Sequence, residues 1–203
     1  MSEATTIDGI DYGPLAALVG TWKGDKGVDV APEPDGDERN PFYEVIVFEA
    51  AGDVTNAEQQ KLSIVRYQQS VMRKSNDKEF HNQVGYWLWD PADNTIVECF
   101  TIPRGVAVVA GGKAEPPASA DDEVVLTVDA ETGSLEFGVV QAPFMFQQAK
   151  TTAFTHTLSI KGDEMKYSQS TTLDIYDYKS YDHKDISTLT RCLLYTSPSP
   201  RDA

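Results

Sequence analysis

The sequence predicts an all-β protein, an antiparallel up-and-down β-barrel of about ten strands. Three observations carry this. Runs of β-branched and aromatic residues with period-two alternation recur along the chain. Turn chemistry separates them at hairpin spacing. No helical period is sustained over several turns, and no internal repeat occurs.

The expected strands run in order through residues 42–49, 61–72, 80–89, 95–102, 106–110, 123–128, 134–140, 152–160 and 165–176, with a last one starting near Ile186. Between them lie Asp90 to Asn94, Pro103 to Gly105, Gly111-Gly112, Glu131 to Gly133 and Lys161 to Asp163, each rich in Gly, Pro, Asp or Asn. Residues 28–40 and 113–122 are Pro- and acid-rich and read as surface loops. Residues 12–19 form one short helical turn packed on a barrel end, and residues 57–60 another turn or a strand lead-in.

Composition bounds the function. The 203 residues are 40% hydrophobic and 24% charged, which suits one globular domain. Seventeen basic against thirty-two acidic residues leave a net charge of −15, a surface that repels nucleic-acid phosphates and anionic membranes. No apolar run reaches membrane-span length, and residues 1–12 lack the basic start and apolar stretch of a signal peptide. Two cysteines, Cys99 and Cys192, do not make a disulfide framework, so a reducing cytoplasm is the expected compartment.

The chain divides into a tail over residues 1–14, a ligand-binding barrel over 15–191 and a tail over 192–203. The last twelve residues break character, with a Pro-Ser-Pro stretch that no strand interior tolerates. They resemble the translation of a sequencing-library adapter, so the natural sequence is expected to stop near Arg191, leaving the last strand short and a sheet edge exposed.

A closed sheet alternates inward and outward residues. Phe154, His156, Leu158 and Ile160 share the apolar parity, so His156 faces inward, as a satisfied core residue or as a ligand. His81, Gln83, Gly85, Trp87 and Trp89 share another parity, which pattern alone does not assign to a side. Gly85 within that run marks a bend or a close approach of another backbone or a ligand. Polar residues at inward positions suit a cavity with a few polar groups on aromatic walls.

Other chemistries are poorly served. There is no Cys-x-x-Cys pair, no His-Glu-x-x-His, no Gly-x-Ser-x-Gly elbow and no P-loop.

Four motifs in order carry a family resemblance. Gly20, Trp22, Gly24 and Gly27 resemble the opening strand of the nitrobindin family, and His81 with Gly85 resembles its second motif. Pro103 to Val106, followed by Ala110 to Gly112, is similar to its central hairpin. Asp182 to Asp185, followed by Leu189 to Arg191, is similar to its C-terminal motif. These are haem-binding barrels with lipocalin- or fatty-acid-binding-protein-like architecture.

The resemblance implies haem b at one open end, with His183 as axial metal ligand and His81 on the distal side, donating a hydrogen bond to a bound anion or diatomic. It also implies nitric oxide binding or peroxynitrite isomerisation on ferric haem. Arg104 is placed to meet a propionate. The candidate cofactor-binding set is therefore His183, His81, His156, Arg104 and Trp22, with no catalytic residue assigned.

Two other readings compete. One is a non-enzymatic carrier of a small apolar ligand. The other is a barrel whose interior is filled by Trp22, Trp87 and Trp89.

Overall fold

The computed structural model describes residues 5–192. A two-stranded ribbon comes first, β1 (Thr6–Ile7) and β2 (Ile10–Asp11), followed by a 3-10 helix (Gly13–Leu18). Then come β3 (Gly20–Glu33), β4 (Gly36–Asn56), β5 (Gln60–Arg73), β6 (Lys78–Asp90), β7 (Thr95–Ile102), β8 (Val106–Lys113) and β9 (Val124–Glu131). The rest is β10 (Gly138–Gln141), a short helix α1 (Pro143–Gln148), β11 (Ala149–Lys161), β12 (Glu164–Ile175) and β13 (Tyr178–Arg191).

Each long strand pairs antiparallel with its sequence neighbour from β3 to β8, and β13 returns to pair with β3. The ring continues through β12, β11 and β9, and closes where β8 meets β9 at Gly111 opposite Asp129. With β10 set aside as an added strand beside β8, ten strands make the barrel, as the sequence predicts. The seam depends on a missing side chain, because a Cβ on Gly112 would lie 2.0 Å from the Thr127 carbonyl oxygen. Gly85 serves the close approach expected of it, with β7: its Cβ would fall 2.2 Å from the Cys99 carbonyl oxygen.

One end of the barrel is plugged. Leu15 and Leu18 of the 3-10 helix are fully buried, against a core that includes Trp22, Trp89 and Ile96. The Trp22 indole N–H donates to the Leu18 carbonyl at 2.7 Å, and the Arg191 guanidinium lies 4.1 Å from the Trp22 ring centroid while donating to the carbonyls of Ala17 and Val19. Tyr12 is buried and its hydroxyl accepts from the Gly52 N–H at 2.9 Å. Residues 1–14 read from sequence as a tail, but from Thr5 onward the chain packs on the barrel end.

Three expectations change. Residues 28–40, read as a loop, are the end of β3, a tight turn and the start of β4. Likewise β13 begins at Tyr178, not near Ile186. Both stretches line an open mouth, so their inward residues, such as Asp29, Asn40, His183 and Asp185, are polar and the apolar alternation that marks a strand is absent. Finally, β13 pairs with β12 between Tyr178 and Thr190 and with β3 through Lys184, Asp185, Ile186, Thr190 and Arg191, so where β3 meets it the last strand is not the expected free edge. The expected foreign tail lies, from residue 193, outside the described residues.

Candidate functional site

The open end holds a cavity of about 440 Å³, within the 300–1,000 Å³ range of small-molecule sites. Its walls include Phe42, Val71, Phe80, Ile102 and Leu173, with α1 contributing Phe144 and Met145 at the rim. The three tryptophans are all buried, yet none lines this space, so the interior is not filled by them.

His81 reaches the cavity through a β-bulge. The β5–β6 register steps from Val71 opposite His81 to Met72 opposite Glu79. The extra residue is Phe80, so Phe80 and His81 both line the cavity where strict alternation would allow one. Burial lowers the pKa of His81, the hydrogen bond to Gln83 opposing, and so favours the neutral ring.

His183 stands on β13 in the same cavity wall, paired across β12 with Thr171. Its Nε2 lies 2.5 Å from Asp29 Oδ1 and 4.0 Å from Asp185 Oδ2. Asp29 and Asp185 are register partners on β3 and β13, and the ligand atoms of the three residues all lie within 4.8 Å of one another. Asn40 donates to Asp29 at 3.0 Å, and Gln169 to Asp185 at 3.4 Å.

Burial works against the His183 imidazolium, but the Asp29 hydrogen bond and the two carboxylate charges outweigh it and raise its pKa. Burial likewise works against the Asp29 carboxylate, and His183 overcomes it, leaving that pKa lowered. Asp185 is pushed up to about 7, by burial first and by the neighbouring Asp29 charge, which the His183 charge offsets only in part.

Two guanidiniums flank the mouth. Arg104 donates to the Phe80 carbonyl at 3.3 Å, from the turn between β7 and β8. Arg73 lies 5.1 Å from the Phe80 ring centroid, and its buried Nε has no protein partner. An unpaired guanidinium N–H is a strong donor for a ligand carboxylate. Sequence reasoning singled out Arg104 and passed over Arg73. The missed signal was a basic residue at the end of a strand leading into the turn before His81.

Of the sequence candidates, the fold therefore gathers His183, His81 and Arg104 around one cavity. Trp22 sits at the plugged end, and His156 faces inward as expected but lies beneath the cavity, its Nδ1 2.8 Å from Glu98 Oε2. Neither lines the cavity.

The chain is thus a β-barrel with a ligand-sized cavity, two imidazoles in the cavity wall and cations at its mouth. Residues 11–191 match the family described as the THAP4-like, heme-binding beta-barrel domain, and the protein belongs to that family. Haem b is the cofactor this family designation supports. Among solved structures, the crystal structure of Rv2717c from M. tuberculosis shares the fold, with a TM-score of 0.64 and 20% identity over 88% of this chain and 95% of that one. No curated protein matches the sequence.

The residues present fit haem. The Asp29 carboxylate at His183 Nε2 is a partner of the kind that fixes the orientation of a ligating imidazole and raises its basicity. The unpartnered Arg73 Nε, with Arg104 beside it, suits the carboxylates of a haem edge. Among the described residues no helix is long and apolar enough to cross a membrane.

Proposed function

We propose that the protein holds haem b in the open-end cavity with His183 as its axial ligand, and that its activity is nitric oxide binding or peroxynitrite isomerisation. The observation that carries this is the convergence of His183, His81, Arg73 and Arg104 on a single cavity in a chain of a heme-binding family. Bound there, haem would supply a ferric iron able to take a small oxygen or nitrogen ligand.

The protein's own residues do the rest. Asp29 holds the His183 ring, with Asn40 holding Asp29 in turn. The apolar walls keep water from the tetrapyrrole faces, and the two guanidiniums meet its carboxylates at the mouth. His81 stands in the cavity wall as a neutral imidazole available to a ligand.

The test is stopped-flow mixing of the haem-loaded protein with nitric oxide and with peroxynitrite. A shift of the haem absorbance with nitric oxide, or peroxynitrite decay to nitrate faster than with haemin alone, supports the reading. Neither response in a fully loaded protein overturns it, and would favour a carrier role.

A further inference from the structure

Beneath the cavity lies a layer of buried polar groups that the proposed function does not use. Its deepest member is Glu98, which exposes none of its surface. Glu98 Oε1 accepts the Tyr67 hydroxyl at 2.6 Å, and Oε2 accepts Nδ1–H of His156 at 2.8 Å. Burying a carboxylate this way is costly, and partners of fixed polarity are what make it tolerable.

That polarity propagates. With its proton committed to the carboxylate, the Tyr67 oxygen is left as an acceptor and takes an N–H from Gln83 Nε2 at 2.5 Å. The same nitrogen lies 3.5 Å from Glu98 Oε1. The reversed amide would set a carbonyl oxygen against both an acceptor and a carboxylate, so the orientation of Gln83 is decided by the charge below it. Its Oε1 therefore points up the strand, 3.3 Å from His81 Nε2. An amide oxygen only accepts, so Nε2 of His81 must carry the ring proton.

We infer that the Glu98–Tyr67–Gln83 chain fixes His81 as its Nε2–H tautomer, leaving bare Nδ1 as the nitrogen through which a cavity ligand is met. Gln83 is then a positioning residue. His81 accepts a hydrogen bond rather than donating one, the reverse of what the family resemblance implies. The ligand group that meets Nδ1 is an O–H or N–H, as on the protonated form of an oxyanion such as peroxynitrite, and the charge of an anion is left to Arg73 and Arg104. The inference rests on the cavity being the ligand site, but not on haem filling it.

The test uses the ligand-free full chain. Long-range nitrogen–proton NMR of the histidine rings distinguishes a protonated from a bare ring nitrogen, with the His81 signals assigned by their loss in His81→Gln. The wild type is expected to show one His81 tautomer, protonated at Nε2. Gln83→Leu, and independently the more nearly isosteric Gln83→Met, both of which remove the amide oxygen that His81 Nε2 faces, should convert this to a mixture with the Nδ1–H form rising several-fold. An Nδ1–H tautomer in the wild type overturns the inference, as does a tautomer ratio unmoved by a folded Gln83→Leu or Gln83→Met protein. No haem enters this experiment, so failure of haem to bind leaves its outcome intact.

Discussion

The two ends of the barrel are built from the same strands with the same alternation, and they do opposite things with it. At the plugged end the inward positions are large and apolar, as with Trp22, Trp89, Ile96 and Leu158, and the 3-10 helix adds Leu15 and Leu18. At the open end the inward positions are His183, Asp185, Asp29 and Asn40, with His81 brought in by a bulge. The difference teaches that one half supplies the folding free energy and the other is released from packing to hold chemistry. Between them, Glu44, Glu98 and His156 form a buried polar layer, with Gln69 and Tyr167 reaching from it to the cavity floor.

Substitutions should separate the halves. Leu15→Ala removes a fully buried side chain from the plug and is expected to cost about 3 kcal/mol, some 6–12 °C in Tm by thermal melting. Ile102→Ala, in the partly exposed wall of the open end, should move the ligand-free Tm far less. Equal losses from the two would break the division. Gly112→Ala presses a methyl group on the Thr127 carbonyl at the β8–β9 seam and should cost about 1–3 kcal/mol in denaturant unfolding.

The middle layer gives a pH signature. Burial raises the pKa of Glu44, hydrogen bonds from Gln69 and Tyr167 opposing it incompletely. A group whose folded pKa is raised contributes its full stability below its unfolded pKa, near 4.5, and loses it as pH rises through the folded value. The stability of Glu44→Gln relative to wild type should therefore grow between pH 4 and pH 8, whatever its offset at pH 4. A difference flat with pH would mean that Glu44 does not titrate above its ordinary range. The smallest stability effect is expected at the rim. Arg73→Ala combined with Arg104→Ala should change folding by under about 0.5 kcal/mol while weakening a carboxylate-bearing ligand several-fold in an absorbance titration.

The closed half was legible in the sequence because burial and period-two patterning coincide there, and residues 152–160 and 95–102 are clear examples. The open half was less so. Asp29, Asn40, His183 and Asp185 alternate inward toward a cavity, so the strands carrying them read as loop or turn. His183 and His81 were found through motif order rather than periodicity. The Glu98–Tyr67–Gln83 chain was out of reach, because it depends on which strands the barrel sets side by side, and the strand-end position of Arg73 gave no sign of the bulge that brings Phe80 and His81 into the cavity together.

The central claim is that the open end holds haem through His183, and a haemin titration followed in the Soret region tests it most directly. A saturable one-to-one Soret band is expected in the wild type, lost in His183→Ala and kept in Leu15→Ala at a temperature where that variant is folded. No specific band, or a band indifferent to His183, would contradict it.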